Sequence, residues 1–133
     1  MTYIDCFLTP VPRSNKAGYE KLALISSAVV REYGALRVVE CWLDEAGPGA
    51  ATYHAEAARK SEENYGTMTA TVGAAADETV VMAWIEWPDK SSRDEGMAKV
   101  MADPRMQFDD EEPVFDGSRL IAAGFRPMLD HSG

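Results

Sequence analysis

The sequence predicts one α+β domain whose elements run strand, helix, strand, strand, helix, strand, and three observations carry that reading. Short apolar runs at residues 3–8, 36–42 and 80–87 alternate with the period of a β-strand. Two stretches between and after them repeat their apolar residues at three and four. Gly, Pro and Asp punctuate the junctions.

The first run places Tyr3, Asp5 and Phe7 on one side and Ile4, Cys6 and Leu8 on the other. After Pro10-Val11-Pro12, Ser14 is positioned to cap a helix of about five turns with Leu22, Ile25, Val29 and Tyr33 as its apolar stripe. Gly34 closes it at the C′ position. Residues 35–43 form the second strand, which Gly47-Pro48-Gly49 interrupts. The third strand sets Met82, Trp84 and Glu86 against Val81, Ala83 and Ile85, and ends at Trp87-Pro88, where proline lacks an N–H for the ladder. Asp89 or Ser91 caps the second helix, with Met97, Val100 and Met101 facing inward and Asp103-Pro104 ending it. A last strand spans 119–125, before Pro127. The order βαββαβ is that of a split βαβ, ferredoxin-like motif, with an antiparallel sheet and both helices on one face.

Residues 45–77 are too many for the strand-to-strand connection they make, since about four to six suffice in compact domains. Residues 55–63 have helix-forming composition, and 67–72 alternate like a short strand or hairpin arm. The apolar residues Tyr53, Tyr65, Met68 and Val72 suit a segment that rims the sheet or touches a partner rather than a solvated linker.

Composition narrows the function classes. The chain has 133 residues, 46% of them hydrophobic, enough for one core. Its 22 acidic against 13 basic residues give a net charge of -9, which repels phosphate backbones and anionic lipids, so neither nucleic acid nor membrane is an expected partner. There is no apolar run of ~20 residues and no basic-then-apolar leader, so the protein is expected to be cytoplasmic. Cys6 and Cys41 fall within predicted strands and read as reduced core residues.

Familiar catalytic signatures are weak. His54 and Glu56 form an H-x-E string without the downstream P-C-x-x-C of zinc deaminases, and His131 is remote, so no metal site is expected. Residues 66–73 lack the lysine of a phosphate loop, there is no G-x-S-x-G elbow, and the Met97/Met101 spacing is that of a core stripe. Asp109-Asp110-Glu111-Glu112 reads as a solvated acidic turn. No cofactor is implied.

The strand carboxylates are the remaining candidates. If helices cover the small aliphatic face, the other face exposes Tyr3, Phe7, Trp42, Met82 and Trp84, an apolar patch large enough to call for a two-fold partner or, alternatively, for cover by the long connection alone. Glu40, Glu86 and Asp5 would then be the candidate catalytic acids, with Tyr3, Trp42, Trp84 and Met82 lining a ligand pocket. Glu40 and Glu86 are expected to share that pocket. The competing reading pairs the acids with Arg37, Arg119 or Arg126 as structural salt bridges.

Four stretches bring a known family into view: Tyr33-Gly34-Ala35-Leu36-Arg37-Val38-Val39-Glu40-Cys41-Trp42; Asp77-Glu78-Thr79-Val80-Val81 continuing to Trp84-Ile85-Glu86-Trp87-Pro88; Met97-Ala98-Lys99-Val100-Met101-Ala102-Asp103-Pro104-Arg105-Met106; and Phe115-Asp116-Gly117. Together they resemble the bacterial YbaA-like family, a domain of unknown function. The resemblance covers nearly the whole chain outside the long connection and departs at Cys6 and around 51–76. It implies a dimeric α+β barrel in which two ferredoxin-like sheets pack through their open faces, and it implies no reaction and no site residues. Three functions follow as expectations: a homodimer binding a small apolar or weakly acidic molecule in the barrel; a cofactor-independent monooxygenase or isomerase using pocket carboxylates, by fold analogy; or a structural or protein-interaction module.

Overall fold

A computed structural model describes residues 1–53, 55, 65–108 and 112–132. Four strands, β1 (Tyr3–Pro12), β2 (Arg37–Trp42), β3 (Glu78–Trp87) and β4 (Ile121–Phe125), form one sheet in the order β2-β3-β1-β4, antiparallel at every pairing. The helices are α1 (Lys16–Glu32), α2 (Met68–Val72) and α3 (Lys90–Ala102).

Local chemistry sets the element ends. α1 starts from Asn15 rather than the expected Ser14, which lies in a 3-10 turn over Arg13–Asn15. Asn15 caps no backbone group; its amide donates instead to the Val114 carbonyl at 2.9 Å and ties the helix start to a distant loop. α1 stops where Gly34 takes φ 116°, a left-handed conformation that disfavours any side chain. Asp89 caps α3 by accepting the Ser92 N–H at 2.7 Å, and extended Asp103 before Pro104 ends it.

Residues 67–72, expected to be extended, instead form α2 over Met68–Val72, with Thr67 as its N-cap. Thr67 accepts the Ala70 N–H at 3.1 Å and Gly73 closes the turn at φ 68°, so capping at both ends overrides the weak alternation of threonines. The helix expected at 55–63 lies, apart from non-helical Ala55, outside the described residues.

Both long helices lie on one face of the sheet: in β3 this is the small aliphatic row that residue size suggests, whereas in β1 it is the row of Tyr3, Asp5 and Phe7. Residues directly opposed in an antiparallel ladder share a face, and the register pairs Tyr3 with Trp87, Asp5 with Ile85 and Phe7 with Ala83. Ile85 in turn opposes Val38, and Ala83 opposes Glu40. This is the covered face: Val29 and Val30 of α1 and Val100 of α3 pack with Ile85 and Trp87, flanked by Tyr3, Phe7 and Val38. Gly96 lets α3 approach closely, since a Cβ there would fall 2.5 Å from a Trp87 ring carbon. The buried stripe of α3 is therefore Gly96 and Val100, continued by the C-cap Asp103 and with Met97 beside it, and Met101, expected to face inward, is 63% exposed.

The opposite face carries Ile4, Cys6 and Leu8 of β1, Val39 and Cys41 of β2, Met82, Trp84 and Glu86 of β3, and Ile121 and Phe125 of β4. α2 packs against β1 and β3, and Pro10, Val80 and Val72 are buried, so α2 covers one end of this face. Elsewhere, among the described residues, it is open: Met82, Ile121 and Phe125 are exposed. Cys6 and Cys41 are free thiols on this half-exposed face rather than core residues.

Candidate functional site

The sheet register sorts the candidate residues into three separate environments. Asp5, expected on an open face, lies beneath α3 with its side chain 6% exposed. Its carboxylate accepts the Trp87 indole N–H at 3.1 Å and the Arg93 guanidinium at 3.0 and 3.2 Å. Buried charge requires such compensation, and here every donor comes from the protein's own frame. Tyr3, also on the covered side, lies across β4 so closely that a Cβ on Gly124 would overlap its hydroxyl, and Arg126 sits 5.6 Å from its ring. Both residues hold the fold rather than an accessible site.

Glu40 and Trp42 form the second environment, between α1 and β2. Glu40 accepts a hydrogen bond from the Tyr19 hydroxyl, and the Trp42 indole donates to Glu20 at 3.0 Å. Burial pushes the Glu40 carboxyl above its usual range, opposed by the Tyr19 hydrogen bond, and burial together with the Glu40 carboxylate keeps the proton on Tyr19. Tyr19 and Trp42 meet edge to face at 5.4 Å, and the Lys16 ammonium rests 4.9 Å from the Trp42 ring. A groove of about 300 Å³ opens between these side chains, walled by Tyr19, Leu24, Val38 and Trp42.

The third environment is the open face. Trp84 donates from its indole to Glu86 at 2.9 Å, and Arg37, directly across the ladder, approaches the same carboxylate at 3.6 Å. Met82 lies two residues along on the same side.

Glu40 and Glu86 therefore do not share a pocket. Arg37 opposes Glu86 in the register while Glu40 opposes Ala83, three residues away and on the other face. The expectation that the two acids converge is corrected by register, which no single strand's alternation encodes. The salt-bridge expectations fare differently: Arg37 does pair with Glu86, whereas Arg119 pairs with Glu78 at 2.8 Å, holding that acid below the usual carboxylate range.

Tyr19, Glu20 and Arg93 are the participants that sequence reasoning missed. Tyr19 sits three residues before Leu22, at helical spacing with the apolar stripe, the one signal that it faces the sheet. Nothing local identifies Glu40 as its partner, or Asp5 as the partner of Arg93. Among the described residues no three His, Cys, Asp or Glu side chains are placed to hold a metal ion, and no helix is long and apolar enough to cross a membrane. His54, Glu56 and 109–111 of the acidic turn lie outside the described residues.

Comparison with known proteins places this geometry in a family. A family model described as a protein of unknown function, DUF1428, matches residues 2–117. The chain is 38% identical over 130 residues to the protein named uncharacterized protein YbaA of Escherichia coli strain K12, covering 98% of this chain and 99% of that one. The YbaA proteins of Escherichia coli O157:H7 and Shigella flexneri match equally. With two alignments spanning almost the whole chain, the protein belongs to the DUF1428 family, whose relatives here carry the name YbaA.

Proposed function

We propose that the protein is a cytoplasmic homodimer in which the uncovered faces of two ferredoxin-like sheets pack together as a dimeric α+β barrel, and that the enclosed space binds a small apolar or weakly acidic molecule. The observation that carries this reading is the open face itself. The two long helices cover one side of the sheet, and beyond the end that α2 covers, Ile4, Leu8, Val39, Met82, Trp84, Ile121 and Phe125 are left on the other, where a second copy would bury them against their equivalents. The order β2-β3-β1-β4 with βαββαβ connectivity supports the ferredoxin-like description. Trp84 and Met82 supply apolar walls. Arg37, whose side chain is 64% exposed, supplies a cation for an acidic group.

Light scattering at micromolar concentrations tests the assembly, with an expected mass near twice 14.6 kDa. Leu8→Asp or Phe125→Asp places charge in the middle or at the edge of the paired face and should yield monomers with the same far-ultraviolet spectrum. A wild-type monomer at all concentrations overturns the proposal. For the ligand, native mass spectrometry of the purified dimer should detect a bound small molecule that Trp84→Ala loses. A reaction that requires Glu40 and Glu86 together has no site in this arrangement.

A further inference from the structure

We propose that the groove between α1 and β2 is a second binding site, on the helix-covered side, for a small organic cation: an ammonium or other protonated nitrogen carried on an apolar body. The site is built around a half-buried carboxylate that the protein leaves without a cation. Glu40 receives one hydrogen bond, from Tyr19 to Oε1, and among the described residues Oε2 has no donor and the carboxylate has no Lys, Arg or His partner. Every other acid with comparable or deeper burial on the sheet has such a partner: Asp5 has Arg93, Glu78 has Arg119, and Glu86 has Arg37. A desolvated carboxylate without a counter-charge attracts one.

The surroundings select the rest of the ligand. The groove holds about 300 Å³, at the lower end of small-molecule sites. Tyr19, Leu24, Val38 and Trp42 present apolar and aromatic surface, and Glu20 at the rim is the second carboxylate, with its bond to the Trp42 indole fixing that ring. Trp42 is already cation-accepting, since Lys16 rests against it at 4.9 Å. On α1, Glu20 lines the groove, and the Lys16 ammonium rests on the Trp42 ring without belonging to that lining. Among the described residues no cationic side chain lines the groove. Anionic and neutral ligands of equal shape would leave Glu40 uncompensated, so the discrimination is electrostatic. Because burial raises the proton affinity of Glu40, proton and ligand compete for the same carboxylate.

The test titrates 2-phenylethylammonium, 2-phenylethanol and 3-phenylpropionate into the ¹⁵N-labelled full chain and follows the Trp42 indole N–H resonance. The ammonium should shift it saturably, the alcohol and the acid should bind at least ~10-fold more weakly, and affinity for the ammonium should fall as pH is lowered toward 4.5. Glu40→Gln should lose at least ~10-fold in affinity while retaining the wild-type spectrum elsewhere. Equal binding of the alcohol, unchanged affinity in Glu40→Gln, or no shift at millimolar ammonium overturns the proposal. Leu24→Arg provides a second variant, because Leu24 is 74% exposed at the groove mouth and tolerates substitution without disturbing the core. An arginine there competes for Glu40 and should weaken ammonium binding; unchanged affinity counts against the site.

Discussion

Replacing Asp5 by alanine removes the acceptor from two donors at once, and the structure says what each is worth. The Trp87 indole N–H, on a residue 0% exposed, loses a 3.1 Å bond and is left unsatisfied in the core, at about 1–3 kcal/mol. Breaking a buried ion pair by deleting one partner costs about 3–5 kcal/mol when the other charge stays buried. Arg93, however, is 35% exposed and keeps Asp94 at 3.1 Å, so it can turn toward solvent and recover much of that. The sum for Asp5→Ala is about 3–4 kcal/mol, and for Asp5→Asn, which keeps a carbonyl for Trp87, about 1–2 kcal/mol. With a urea m-value of about 1.5 kcal/mol per M, the alanine variant should unfold roughly 2 M earlier at unchanged m. A cycle with Arg93→Ala should show coupling of about 1–2 kcal/mol. A loss under about 1 kcal/mol with an additive cycle would refute the structural role and return Asp5 to the list of acids free for chemistry.

Three further outcomes follow from the same packing. Gly96→Ala gains about 1 kcal/mol of helix propensity but sets a methyl 2.5 Å from the Trp87 ring and 2.7 Å from the Tyr33 carbonyl, so urea unfolding should show a net loss; a gain would mean α3 sits further from the sheet. Glu40 has a native proton affinity raised above the unfolded 4.5, so its ionisation costs stability as pH rises from 4.5 through that native value. Glu40→Gln, which can still accept from Tyr19, should flatten this dependence in thermal melts from pH 4 to 8, and an unaltered profile would show Glu40 to be solvated. Glu78 is held low by Arg119 and the Ala75 N–H, so its contribution is present above 4.5 and vanishes as pH falls through the depressed native value. Glu78→Gln should be less stable than wild type at pH 7, with the gap closing in acid; a constant gap would separate the loss from titration.

The elements themselves were readable in the chain because their causes are local. Period-two alternation, Gly34 at a left-handed helix end, Asp89 before the second helix and Pro88 after the third strand act within a few residues of where they stand. Where local signals competed, as threonine alternation against the Thr67 cap and Gly73, the sequence pattern misled and hydrogen bonding decided. The family too was legible, since three of its four multi-residue stretches lie largely in strands and helices.

Which face of each strand meets the helices was a different kind of question. Alternation says that Tyr3, Asp5 and Phe7 share a side, and that Met82, Trp84 and Glu86 do, but not whether the two sides coincide. That depends on register between strands nearly eighty residues apart, and the pairing of Asp5 with Ile85 sets them on opposite faces. An acidic, aromatic row could become the covered face because Arg93, 88 residues from Asp5, neutralises its charge, and because Tyr19 gives Glu40 a hydrogen bond from α1. Charge compensation of this kind is set by three-dimensional proximity, so the sequence determined the strands, the helices and their order, and only the tertiary structure decided which acids are fastened into the frame and which face open space.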